Sequence, residues 1–154
     1  MSNSVGLFLF KSCKTRLCDR AYSAVMSNLS ALGVAFCELF PQLKGKDVNI
    51  IFADGRTLRD LNKRFRRVDV DTDVLAFPMM GKTLGEVWIC PGVIKRNAVE
   101  YEEEFEIEVL RIVIHGILHL AGLDHKNSFR GGGTIEEKMY RLQERVLGQM
   151  TNDK

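Results

Sequence analysis

No Cys-x-x-Cys pair occurs in this chain; Cys13, Cys18, Cys37 and Cys90 stand apart from one another. The cysteine-rich zinc folds and the paired-cysteine redox motif are thereby excluded. The four read as reduced, mostly buried thiols of a cytoplasmic protein, with a redox or metal role for Cys13 and Cys18 as the alternative. No segment is long enough to cross a bilayer. The longest charge-free apolar run, residues 112–123, contains two histidines and reads as a buried helix. A signal-peptide layout is missing too, because basic residues follow the apolar stretch Val5 to Phe10 instead of preceding it. Repeats, low-complexity tracts and an interdomain linker are absent. What remains is one soluble domain over residues 1–154, with 45% hydrophobic and 27% charged residues and enough chain to bury a core.

Neither sign of charge dominates, at a net +2, but the charges are unevenly spread. Residues 1–99 hold 15 Lys+Arg against 9 Asp+Glu, a balance of +6; residues 100–154 hold 7 against 11, a balance of −4. The basic excess gathers in Arg56, Arg59, Lys63, Arg64, Arg66 and Arg67, a cluster suited to phosphates or to a solvated helix face. Glu100 to Glu108 carries six glutamates and reads as solvated surface that repels polyanions.

Histidine is equally scarce, and its placement is informative. The only three, His115, His119 and His125, fall within eleven residues. His115 and His119 are one helical turn apart, about 40° around a helix, so both imidazoles reach one ion. Gly122 permits the left-handed turn that ends such a helix and returns His125 as a third ligand. Three imidazoles leave one tetrahedral zinc position open, the pattern of a catalytic site. The spacing is that of the extended zinc-peptidase motif, except that Gly116 stands where a peptidase carries its glutamate base. A peptidase reading keeps the metal and loses the base. Core or capping histidines are one alternative; a closed structural site with Asp124 as fourth ligand is another. Three imidazoles also suit nickel or copper.

The pattern along the chain predicts an α+β domain, with a central mixed sheet of about four strands, about five helices and the histidine helix in the middle. Val5 to Phe10, Asp47 to Ala53, Asp73 to Met79 and Glu86 to Cys90 read as strands, with Pro78 placing the third at an edge. A helical stripe runs from about Cys18 to Leu32, with Gly33 as its stop. Asp54-Gly55 opens a helix that buries Leu58, Leu61 and Phe65. Pro91 starts another towards Glu103. Residues Phe105 to Ala121 form the histidine helix. After a glycine-rich loop, Thr134 and Glu137 form a capping box for a last helix with Met139, Leu142, Val146 and Leu147 on its apolar stripe.

Four segments together carry a resemblance: Leu61-Asn62 through Phe65-Arg66, Thr72 to Pro78, Leu84 to Val87, and the histidine cluster. In order and spacing, over about residues 47–147, the chain resembles the YbeY family of bacterial metal-dependent endoribonucleases. The resemblance implies zinc, one ion per chain, held by His115, His119 and His125. It further implies cleavage of single-stranded RNA in 16S rRNA 3′-end maturation and ribosome quality control. Implied partners are rRNA, the small ribosomal subunit, a small-subunit ribosomal protein and an Era-type GTPase, with no membrane. By position, Arg66 is the family's functional arginine, and with His115 it forms the implied catalytic pair. Three departures stand out: Ala76 where the family often has serine, Glu86 where it often has aspartate, and Leu123 in place of a frequent tyrosine.

The chemistry of these residues fits that implication. Zinc acidifies water towards neutral pH and polarises a phosphate, while the planar fork of Arg66 pairs with two phosphate oxygens. Attack comes either from water or from the RNA 2′-hydroxyl. Thr72 and Asp73 line the cleft or orient a ligand histidine, with a turn role as the alternative. Arg59, Lys63, Arg66, Arg67, Phe129 and Arg130 are candidate RNA contacts. Phe65, Phe77 and Phe129 are candidates for base stacking, Phe129 foremost, with Phe65 and Phe77 expected in the core. The competing functions are a non-catalytic ribosome-assembly factor with a stabilising metal and a peptidase-like hydrolase without the usual base.

Overall fold

A computed structural model describes residues 3–123 and 135–151. Strand β1 (Gly6–Lys11) leads into helices α1 (Arg16–Met26) and α2 (Leu29–Leu39), then β2 (Asp47–Phe52) and α3 (Gly55–Arg66). Strands β3 (Val74–Pro78) and β4 (Thr83–Ile89) follow, then α4 (Pro91–Glu100), α5 (Phe105–Leu120) and α6 (Ile135–Thr151). The sheet order is β1-β2-β4-β3. β1, β2 and β4 run parallel, and β3 lies antiparallel to β4 at the edge. This is the expected four-stranded mixed sheet. Pro78, which has no N–H to give a ladder, closes the edge strand.

The two faces of the sheet are covered unequally. Val48, Ile50 and Phe52 of β2 and Val87 and Ile89 of β4 point into the main core with the residues of α1, α2, α5 and α6. On the other face, Leu58 of α3 packs with Ala53, Leu75, Cys90 and Val93 in a smaller cluster. Helix α5 is central: it touches α1, α4, α6, β3 and β4, and it buries ten of its sixteen residues. The run from Val109 to Leu120 is apolar except for the line of Arg111, His115 and His119, so it occupies the middle of the fold with that one polar face turned to α6 and the cleft. No helix of the described residues is long and apolar enough to cross a membrane.

Several local expectations are corrected. The stripe from Cys18 to Leu32 is two helices, which makes six α-helices among the described residues rather than five. Ser27 donates its hydroxyl to the Ser23 carbonyl, and the Asn28 amide donates to the Ala24 carbonyl, each at 2.8 Å. The Ser23 carbonyl thus accepts twice, since Ser27 N–H also reaches it at 3.0 Å, and these side-chain bonds compete with continuation of the helix. Gly33 does not stop a helix; it lies inside α2, where a Cβ would sit 2.5 Å from the Val5 carbonyl oxygen. Its own carbonyl accepts from Val5 N–H at 3.0 Å, so the glycine is there to let helix and strand backbones meet.

Cys13 and Cys18 are joined in a disulfide and are not the expected thiols; their Cα atoms are 6.1 Å apart. Thr15 caps α1 by accepting from Cys18 N–H at 3.0 Å, and this turn brings the two cysteines together. Cys37 and Cys90 are buried free thiols, as expected. The acidic stretch is not simply solvated. Glu108 is only 4% exposed and accepts from Arg111 at 2.9 Å, while Arg20 clasps both oxygens of Glu106 at 2.8 and 3.1 Å.

Candidate active site

One wall of the site is the end of α3. Asp54 caps that helix by accepting from Thr57 N–H at 2.8 Å, and the bond holds its carboxyl below the usual range. At the other end Arg67 adopts a left-handed conformation, φ 59°. Buried Asn62 fastens the returning chain: its side-chain amide donates to the Val70 carbonyl at 3.1 Å and its backbone carbonyl accepts from Val68 N–H at 3.3 Å. This turn sets Phe65, Arg66 and Arg67 along a cleft of about 680 Å³. Thr72, Asp73, Val74, Ala76 and Pro78 line it from β3 and the segment before it, and His115, His119 and Leu120 line it from α5.

Both histidines lie in the last turns of α5. Their Nε2 atoms are 3.0 Å apart and their ring planes are inclined by 76°. An ion at about 2.0–2.1 Å from each nitrogen fits that separation, since zinc–imidazole bonds have that length. Helix α5 ends immediately afterwards at Gly122, φ 103°, as its sequence position implies. Gly122 and Leu123 return their N–H groups to the carbonyls of His119 and Leu118, both at 3.1 Å. His125, the expected third ligand, and Asp124 lie outside the described residues, as do Phe129, Arg130 and Thr134. Among the described residues no trio of His, Cys, Asp or Glu converges on an ion position.

Gly116 has a steric reason to be glycine. A Cβ there would fall 2.5 Å from Val87 Cγ1 and 3.3 Å from Val74 Cγ2. The face of α5 that carries position 116 is pressed against β3 and β4, so a glutamate has no room on it. The missing peptidase base is therefore built into the packing of helix on sheet.

The remaining expected residues divide. Arg66 and Arg67 face the cleft with the histidines. Arg59 and Lys63 are absent from its lining; they pair with Asp69, at 2.9 and 3.9 Å. Phe65 is not core: it is 60% exposed and rests edge-on against Phe77 with ring centres 5.3 Å apart. Of the three apolar residues expected to be buried, only Leu58 and partly Leu61 turn inward, with Asn62 buried beside them. Asp73 lines the cleft; burial raises its carboxyl pKa, and the charge of His115 pulls it partly back.

Thr72 and Asp73 line the cleft as expected, and His115 Nδ1 has a partner that was not expected: Oε1 of Gln143 of α6, 2.9 Å away. Sequence reasoning passed over this residue. Its signal was a polar side chain set within the stripe of Met139, Leu142, Val146 and Leu147.

The family model for Endoribonuclease YbeY matches residues 14–151, nearly the whole chain. The chain belongs to the YbeY family. An Endoribonuclease YbeY of Thermotoga sp. is 43% identical over 103 residues, 66% of this chain and 69% of that protein. The Endoribonuclease YbeY of Aquifex aeolicus is 38% identical over 128 residues, 80% of this chain and 77% of that protein. A solution structure from Thermotoga maritima superposes with a TM-score of 0.59 at 28% identity, covering 97% of this chain and 90% of that one. The YbeY match reaches upstream of the segments that carried the resemblance and takes in all of α1 and α2. Against the frequent YbeY serine, Ala76 puts only a methyl on the cleft wall.

Proposed function

We propose that the protein is a zinc-dependent endoribonuclease that cuts single-stranded RNA, with 16S rRNA 3′-end maturation and ribosome quality control as its setting. The observation that carries this reading is the convergence of Arg66, Arg67, His115 and His119 on one cleft. Two guanidiniums supply phosphate-binding charge directly beside two imidazole nitrogens spaced for one ion. A zinc held by His115, His119 and His125 would supply Lewis acidity at the phosphate and make water nucleophilic near neutral pH.

The chain's own residues do the rest. Arg66 donates two parallel N–H bonds to the nonbridging oxygens of the scissile phosphate, where negative charge grows in the transition state. Arg67 holds a neighbouring phosphate. The exposed ring of Phe65 offers a face to an unpaired base, which a duplex would keep stacked, and so favours single strands. On this reading the partners are rRNA and the small ribosomal subunit, with a small-subunit ribosomal protein and an Era-type GTPase as protein partners. The compartment is the cytoplasm.

The test is cleavage of an end-labelled single-stranded RNA with zinc, after chelation, and by folded His115→Ala and Arg66→Ala variants. Cleavage lost in all three arms is expected. Cleavage that persists in His115→Ala would sink the reading. A 2′,3′-cyclic phosphate at the product end identifies 2′-hydroxyl attack, and a 3′-hydroxyl facing a 5′-phosphate identifies water.

A further inference from the structure

Gln143 is only 8% exposed, although both ends of its amide need hydrogen-bond partners. The orientation of that amide is set from outside. Its Nε2 donates to Glu144 Oε2 at 3.2 Å. Glu144 is in turn held by Arg111, with Nε to Oε2 at 3.0 Å and Nη2 to Oε1 at 3.2 Å. Arg111 is anchored by two more carboxylates, Glu108 at 2.9 Å and Glu103 at 3.3 Å. A carboxylate only accepts, so the nitrogen end of the amide must face Glu144 and the oxygen end must face His115 Nδ1, 2.9 Å away. An amide oxygen also only accepts, so Nδ1 carries the proton.

We infer that Arg111, Glu144 and Gln143 form a positioning relay that holds His115 in its Nδ1–H tautomer. The Nε2 lone pair then points at the position it shares with His119 Nε2. The relay deepens the metal-site reading and rests on it for the role of His115 as a ligand. Gln143 is a positioning residue: it acts on the reaction only through the imidazole it orients. The device binds α6 to the chemistry, since this helix supplies the acceptor for His115 Nδ1. A neutral amide also leaves the site one negative charge poorer than a carboxylate would, which keeps a bound cation more electrophilic towards phosphate.

The test is long-range ¹H–¹⁵N correlation of the histidine rings in the metal-free full chain at about pH 8, above the ordinary histidine pKa. Wild type is expected to show a single His115 tautomer with Nδ1 protonated. Gln143→Met, close in volume, should give a mixture of tautomers. Glu144→Ala changes no atom that touches His115 and should do the same in part. Gln143→Glu restores an acceptor and should restore the wild-type pattern. Zinc affinity, read by competition with a chromophoric chelator, should fall roughly tenfold to a hundredfold in Gln143→Met and recover in Gln143→Glu. Wild-type tautomer and affinity retained in both Gln143→Met and Glu144→Ala would overturn the relay. If wild type took up no zinc, the metal reading would fail, and the nitrogen spectra would still decide the relay on their own.

Discussion

Arg66 and Gln143 show how differently single residues declare themselves. Arg66 belongs to a basic run that sequence alone reads equally well as a solvated face. What separates it from Arg59 and Lys63 is its place on the cleft at the end of α3, while Asp69 engages the other two. Arg66→Ala is expected to lower kcat for RNA cleavage by about a hundredfold to a thousandfold, the usual cost of losing one donor to a developing oxyanion. Single-turnover assays on a folded variant would check it, and a loss confined to KM would remove Arg66 from the transition state. Gln143 escaped notice because an amide inside an apolar stripe has no motif. Its importance comes from a histidine 28 positions away that only the fold brings near. Phe65 differs for a related reason: helical period gives a face, and only the neighbouring elements decide how far along the helix that face is covered.

Among the elements, α5 was the most legible, because its length, its apolar content and the glycine after it all point to one buried helix that ends beside the site. The break between α1 and α2 was the least legible. It depends on the Ser27 and Asn28 side chains, while the apolar stripe runs on without interruption. The contact of α5 with the sheet yields a prediction. Gly116→Ala should cost about 1–3 kcal/mol of stability, since the added methyl meets Val87 across 2.5 Å and the core must shift. A urea midpoint unchanged from wild type would count against that packing.

The contact of α5 with α6 yields another. Burial pushes the Glu144 carboxyl up, and the hydrogen bonds from Arg111 and Gln143 outweigh it, leaving its pKa below the ordinary value. A carboxyl depressed in the folded state stabilises the fold above its unfolded pKa, and that contribution is lost as pH falls through the lowered folded value. Stability should therefore decline on acidification below about pH 4.5. Arg111→Met should start lower, by roughly 3–5 kcal/mol, because Glu108 stays buried without its partner, and it should lose less as the acid is added. Urea titrations across that window would show the two curves converging; parallel curves would exclude the clamp.

At the scale of the whole molecule, the sheet, the edge position of β3 and the central helix all followed from the apolar runs along the chain and the placing of Pro78 and Gly122. The disulfide did not, because five residues of separation between Cys13 and Cys18 form no known signature, and the Thr15 cap that joins them is a property of the folded turn. Helix α5, which carries the two histidines, buries ten of its sixteen residues and is packed by α1, α4, α6, β3 and β4. Most enzymes mount their reactive groups on parts that open easily; this one mounts them on the part that should open last. The amides of residues 113–118 should exchange with deuterium only through global unfolding, and RNA cleavage should disappear at the same urea concentration as the fold. The histidine pair would then report on the integrity of the whole domain, with no partly opened form in which the cleft is lost and the rest survives.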